Sequence, residues 1–246
     1  MAQVAKKIVN GCENYSYNFK LNGEEMVLAK LEKSNLTVFF DVGANRGEWS
    51  ILVRRHFPAS SVHCFEIAPP MHDILGKAVK QLSPPVIVNH FGLSNKTGPV
   101  KFNFCTEADG MSSLLLTPEL VGQYVQIDAD VVKGDDYAEK HAIQRIDFLK
   151  LDVEGAENLV LTGLSETLKR GAIRVIQFEY GLANIIAGFL LKDFYQLLEP
   201  LGYSIGKIFP ERVEFKAYSR IDENFIGPNF LAVRKDEKDL IKLLSS

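Results

Sequence analysis

Three short stretches of this sequence place carboxylates and glycines where the chain must change direction. The first is Asp41-Val42-Gly43-Ala44-Asn45-Arg46-Gly47, the second ends at Glu66, 19 residues after Gly47, and the third is Asp152-Val153-Glu154-Gly155. Glycines at a strand-to-helix turn let the backbone pass close to a ligand, and the helix that follows presents unpaired amides. An acidic side chain ending the next strand can accept hydrogen bonds from both hydroxyls of an adenosine ribose. Two ligands meet these requirements, a nicotinamide dinucleotide and S-adenosylmethionine. Asp41 separates them, because a carboxylate about 4 Å from a pyrophosphate charge costs roughly 4 kcal/mol at an effective dielectric near 20, whereas an ammonium and a sulfonium are attracted to it. The turn also lacks the G-x-G start that lets a pyrophosphate approach. The methyl donor is favoured over the hydride carrier.

Asp152 and Glu154 point to one side of an extended chain, and Gly155 releases that chain into the next helix. Such carboxylates can hold the donor's amino group, orient an acceptor hydroxyl or take its proton. Glu179, in the string IQFEYG, is a further acid on the same rim. Asp152, Glu154 and Glu179 are thus the catalytic candidates. His90 is a lone histidine near a strand end, where a hydrogen-bonded structural role competes with that of a base.

The elements that must position these groups follow from the apolar pattern. Residues 36–42, 62–67, 86–91, 146–152 and Ile173–Glu179 are short, mostly apolar and rich in β-branched or aromatic side chains, as strands covered on both faces are. Between them, residues 47–56, 71–82, 156–169 and 189–198 repeat apolar side chains at three- and four-residue steps, which predicts helices. Alternating strands and helices imply an α/β, doubly wound parallel sheet, with its ligand at the carboxyl ends of the strands. One stretch breaks the alternation. Val100, Phe102 and Phe104, then Val125, Ile127, Ala129 and Val131, recur at every second position, predicting a β insertion over 98–133 between the third and fourth core strands. Its loop, 109–115, is a candidate substrate lid. Residues 1–35 read as an extension packed on a single domain of 36–246, and 235–246 as a terminal helix.

Composition narrows the classes of partner. The 246 residues carry 28 basic and 31 acidic side chains, a net charge of −3, so no global positive field exists to hold a nucleic acid. No charge-free run reaches the roughly 20 apolar residues that span a bilayer, and the first residues lack a signal peptide's apolar core; a cytoplasmic location is expected. Cys12, Cys64 and Cys105 form no CxxC pair, which argues against a disulfide framework and a structural zinc.

Taken in order, FDVGANRGEWS, HCFEIAPP, NHFGLSNKTGPVKF, IDFLKLDVEGAENLVLTGL and IQFEYG resemble the FkbM family of S-adenosylmethionine-dependent methyltransferases. The resemblance covers about residues 37–181, beyond which only the strand pattern agrees. It implies a class I methyltransferase (Rossmann-like) sheet of seven strands whose last, 230–234, is antiparallel. It also implies a donor site of Asp41, Gly43, Ala44, Asn45 and Gly47 on the methionine part, Glu66 on the ribose, Leu93 and Ser94 near the adenine and Asp152 beside the methyl group. The product would be S-adenosylhomocysteine, and the reaction O-methylation of a sugar or other natural product. One departure is Ile67, which stands where the family carries proline. No metal is expected; a magnesium-assisted route through Asp152 would show as activity lost to a chelator. Tyr15, Tyr17 and Phe19 are aromatic candidates for stacking on a saccharide acceptor. A nicotinamide-dependent oxidoreductase and a catalytically silent scaffold on the same fold are the competing classes.

Overall fold

The computed structural model describes residue 4 and residues 9–106, 112–115 and 124–246. Its core is an eight-stranded sheet in the order β10-β9-β11-β8-β7-β1-β2-β3. The parallel part is β1 (Val38–Val42), β2 (Ser61–Phe65), β3 (Ile87–Asn89), β7 (Ile146–Leu151) and β8 (Ile173–Glu179). β11 (Asn229–Arg234) runs antiparallel to both β8 and β9 (Tyr203–Ile208). The resemblance implied seven strands. The eighth, β10 (Val213–Phe215), folds back on β9 across a tight turn in which the Phe209 amide donates to the Arg212 carbonyl at 2.8 Å. Three residues are too few for a period-two pattern to reveal.

Adjacent residues of each buried strand serve opposite layers. Phe39 packs with Val27, Leu28 and Leu31 of α1 (Glu24–Leu31), Trp49 and Leu52 of α2 (Glu48–His56), Leu75 of α3 (Pro69–Val79) and Leu240 of α9 (Lys238–Ser245). Phe40 faces the other way, towards Tyr137 of α4 (Gly134–Lys140), Val160 of α5 (Glu157–Gly163), Leu168 of α6 (Ser165–Lys169) and Phe194 of α8 (Leu191–Leu198). α7 (Ala183–Ala187) caps the end of β8. Residues 156–169, expected as one helix, are two. Gly163 approaches β4 (Gly92–Ser94) so closely that a Cβ there would lie 1.9 Å from the Ser94 carbonyl oxygen, and Asp135 then caps α6 by accepting the Glu166 and Thr167 amides at 3.0 Å each.

The insertion forms a second sheet, β4-β6-β5, in which β5 (Gly98–Cys105) and β6 (Tyr124–Lys133) are antiparallel and β4 is parallel to β6. Its alternation is imperfect: Asn103 and Cys105, expected on the solvent side, are buried, while Val125 is 50% exposed. Asn103 is covered because it exchanges two backbone hydrogen bonds with Ser113, at 2.9 and 3.0 Å. The Ser113 hydroxyl in turn donates to the Glu154 carbonyl at 2.7 Å, so residues 112–115 strap the insertion to the turn after β7. Of the expected lid 109–115, residues 109–111 lie outside the described residues. Among the described residues no helix is long and apolar enough to cross a membrane.

A buried imidazole sits at the opposite end of the sheet from this strap. His63, 4% exposed, has Nδ1 2.8 Å from the Tyr137 hydroxyl and Nε2 3.0 Å from that of Ser61, and burial pushes its pKa from 6.5 down to about 4. The unfolded chain therefore binds this proton more readily, and the stability that neutral His63 contributes is present above pH 6.5 and lost as pH falls towards 4. Urea unfolding of the wild type and of His63→Asn should differ in their pH dependence over that window by up to about 3 kcal/mol. Parallel curves would show that His63 is not held neutral.

Candidate active site

β1 delivers its last residues into a turn whose geometry excludes side chains. Gly43 has φ +85°, and a Cβ on it would lie 1.8 Å from the Asp152 carbonyl oxygen, so the ends of β1 and β7 touch through backbone. The Gly43 and Ala44 amides both donate to the Phe65 carbonyl at 3.0 Å, which ties the turn to the end of β2. Glu66, directly after β2, completes the tie. One of its carboxylate oxygens accepts the Asn45 amide and the other the Ala68 amide, each at 2.7 Å. It is 5% exposed, and burial outweighs these amides and pushes its pKa up to about 7.

This turn opens into a single cavity. Ile67, Ala68, Met71, Leu93, Phe102 and Leu114 give it an apolar wall, in which the last two come from the insertion. Elsewhere the lining is acidic: Glu24, Asp152, Glu154 and Glu179, with Tyr17, Asn22 and Asn229 among them. Lys150, 5% exposed, stands behind that acidic wall and donates to Asp152 Oδ2 at 2.7 Å, with its ammonium 3.8 Å from Asp41 Oδ1. Burial works against its charge, but Asp152, Asp41 and Glu24 together outweigh burial and hold its pKa above the usual lysine range.

The two acids beyond Asp152 differ from it in their neighbours. Glu154 adopts φ +50°, uncommon for a non-glycine residue, at a turn held from below by Glu157, whose Oε1 accepts the Val153 and Gly155 amides at 3.2 and 3.3 Å. Burial first, then the Asp152 and Glu157 carboxylates, push Glu154 up to about 8. Burial and the charges of Glu154 and Asp152 likewise raise Glu179 well above the usual carboxylate range. Asp152, Glu154 and Glu179 can bring one oxygen each within 4.8 Å of one another.

Not every expected site residue reaches the cavity. Gly43, Asn45, Glu66, Leu93, Asp152, Glu154 and Glu179 line it; Asp41, Ala44, Gly47 and Ser94 do not. Asp41 is 0% exposed, so it cannot meet a ligand directly; it accepts the Ser50 hydroxyl at 2.6 Å and faces Lys150, which is how its charge reaches the site. Ala44 belongs to the core beneath the turn, a Cβ on Gly47 would meet Leu75 and Val79 of α3, and Ser94 is closed over by Gly163. His90 is exposed and stacks on His72, ring centroids 4.2 Å apart, away from the lining. Of the aromatic candidates Tyr17 lines the cavity, while Tyr15 and Phe19 do not.

Lys150, Glu24 and Glu157 were missed by sequence reasoning. Lys150 and Glu157 stand inside the LKLDVEGAE string, and a lysine inside an otherwise apolar buried strand signals a buried counter-ion. Glu24 gave no signal, since it is joined to the site by partners some 150 and 200 residues away: it accepts Gln177 Nε2 at 2.6 Å and Asn229 Nδ2 at 2.9 Å.

The family model described as the Methyltransferase FkbM domain matches residues 41–205, from Asp41 into β9. The chain belongs to the FkbM methyltransferase-domain family. The FkbM match runs past residue 181, where the string resemblance ended, and takes in α8 and the first half of β9. Methyltransferase sdnD of Sordaria araneosa is 28% identical over 154 residues, 51% of this chain and 60% of that protein. The 31-O-demethyl-FK506 methyltransferase FkbM of Streptomyces tacrolimicus is 30% identical over 156 residues, 52% of this chain and again 60% of the relative. The hexuronic acid methyltransferase AglP of Haloferax volcanii is 25% identical over 66% of this chain and 65% of its own length. The chain thus spans about 60% of the length of the first two of these relatives. A crystal structure of methyltransferase FkbM from Methylobacillus flagellatus superposes with a TM-score of 0.51 at 14% identity, covering 80% of this chain and 43% of that one, which shows a shared class I, Rossmann-like methyltransferase fold.

Proposed function

We propose that this chain transfers the methyl group of S-adenosylmethionine to a hydroxyl oxygen of a small-molecule acceptor. The observation that carries the reading is Glu66: a buried carboxylate, braced by two backbone amides at the end of β2, on the same cavity as the Gly43 turn and the acidic turn after β7. Its remaining lone pairs are free to accept both ribose hydroxyls, with the adenine against Ile67, Leu93 and Phe102. The residues fit the methionine part as well. Gly43 lets the ends of β1 and β7 meet through backbone at the cavity wall, and Asn45 Oδ1 is a buried acceptor with no hydrogen-bond partner among the described residues, suited to an ammonium. No lysine, arginine or histidine lines the cavity among the described residues, which suits a sulfonium and disfavours a pyrophosphate.

When bound, the donor supplies an electrophilic methyl carbon for in-line displacement. The chain's own residues align the acceptor and manage its proton. Asp152 is engaged with Lys150 and serves best as a fixed anion near the sulfonium. Glu154, pushed up to about 8, is matched to taking a hydroxyl proton near neutral pH, with Glu179 beside it.

The test is calorimetric titration with S-adenosylhomocysteine, with NAD in parallel. Binding of the homocysteine product at roughly micromolar dissociation constant supports the reading; binding of NAD alone replaces it with an oxidoreductase, and binding of neither leaves a silent scaffold. With an acceptor in hand, alanine at Asp152, Glu154 or Glu179 should lower turnover more than donor affinity for whichever is the base, and full turnover in all three would sink the base assignment.

A further inference from the structure

The acidic side of the cavity gathers more carboxyl groups than its own cations can balance. Glu66 is braced by two amides, Glu24 accepts from Asn22, Gln177 and Asn229, and Asp152 meets Lys150. Glu154 and Glu179 form no ion pair among the described residues, yet both face the cavity, and burial with the neighbouring carboxylates holds both towards the protonated form, a cost that an incoming cation relieves. A methyl donor brings one sulfonium and one ammonium against one carboxylate of its own, so its single net positive charge leaves at least one of Glu154 and Glu179 without a counter-charge.

A second feature points at the same place. Tyr17 lines the cavity at its mouth and is 61% exposed, with its ring at 79° to that of Tyr15, 43% exposed, and centroids 5.5 Å apart. Its hydroxyl end is tucked in: a Cβ on Gly227 or Gly181 would lie 3.7 or 4.0 Å from that oxygen, and Glu179 and Glu154 are close enough to act on it electrostatically. Exposed aromatic surface beside unpaired carboxylates is the combination that recognises an ammonium, through the ring quadrupole and the full charge together.

We propose that the acceptor is an amino sugar or amino alcohol whose ammonium is held by Glu179 and the Tyr17 ring, so that the neighbouring hydroxyl is the one presented to Glu154 and the donor. This rests on the methyltransferase reading above and adds a charge to the acceptor, the opposite of the hexuronic acid named for the Haloferax volcanii relative. In the step, the donor's C–S bond breaks as the hydroxyl oxygen forms the new C–O bond. The hydroxyl proton passes to Glu154, and the donor leaves as a neutral thioether. The amine keeps its proton, and with it its hold on Glu179.

The experiment titrates the protein, saturated with S-adenosylhomocysteine, with three ligands that share one ring and differ in charge: methyl glucosaminide, methyl glucoside and methyl glucuronide. The glucosaminide should bind about tenfold or more tighter than the glucoside, with no detectable glucuronide binding. Tyr17→Ala and Glu179→Gln should each weaken the glucosaminide about tenfold, with Tyr17→Phe near wild type and S-adenosylhomocysteine affinity in Tyr17→Ala changed by less than about twofold. Equal or tighter binding of the glucoside or the glucuronide, or of none of the three by protein that still binds S-adenosylhomocysteine, overturns the proposal. If S-adenosylhomocysteine itself fails to bind, the methyltransferase reading falls with it.

Discussion

Lys150→Met is expected to destabilise the fold by about 3–5 kcal/mol, because it leaves a buried carboxylate without its counter-charge. Asp41 is 0% exposed and has one oxygen with no hydrogen-bond partner among the described residues, so the Lys150 ammonium at 3.8 Å is what offsets its desolvation. The methionine fills the space, hence the cost is electrostatic rather than a cavity. Burial already raises the Asp41 pKa, and without Lys150 it rises further. The variant's penalty is therefore small at low pH, where Asp41 is protonated, and grows as pH rises through that raised pKa. Chemical denaturation at two pH values measures it. Asp41→Asn in the same chain should return most of the loss, and a double variant no more stable than Lys150→Met would show that Asp41 is not the orphaned partner.

Glu66→Ala is expected to raise the dissociation constant for S-adenosylhomocysteine by about 10²–10³-fold. Two hydrogen bonds to a charged acceptor contribute roughly 1.5–3 kcal/mol each, and part of that returns as water replaces them. The Asn45 and Ala68 amides also lose their acceptor, so the turn after β1 loosens. Because the Glu66 pKa stands at about 7 in the empty site, wild-type affinity should weaken by up to about tenfold per unit as pH falls below 7, and Glu66→Ala should lose that slope. A calorimetric pH series checks both statements. A variant that binds as wild type removes the ribose role.

The strands were legible because each is a run of apolar residues bounded by turn formers, and the turn carboxylates were legible because they stand beside glycines at the carboxyl ends of those strands. Asp41 shows the limit of that logic. Its type and place in DVGAN point to the ligand, but whether it touches the ligand or acts through a second residue depends on Lys150, one strand over, and on Ser50 one turn later in α2. The insertion was found from its alternation, yet the burial of Asn103 was not, since its cover is residues 112–115 rather than a strand of its own. Glu24 was invisible for the same reason on a longer scale. Local pattern reports an element's faces; it does not report which distant chain segment lands on them.

The Glu24 carboxylate also bears on the order in which the site can be made. Its partners Gln177 and Asn229 belong to β8 and β11, and Asn14 donates from the N-terminal side to the Ile208 carbonyl in β9. During synthesis the glycine turn and Glu66 emerge well before β11, and the acidic wall has no complete set of hydrogen bonds until β11 has been inserted between β8 and β9. A nascent chain that has reached only the insertion holds half a cavity, open on its charged side. The cavity is consequently a late product of folding, closed on its charged side only once β11 has joined a sheet whose glycine turn was made long before.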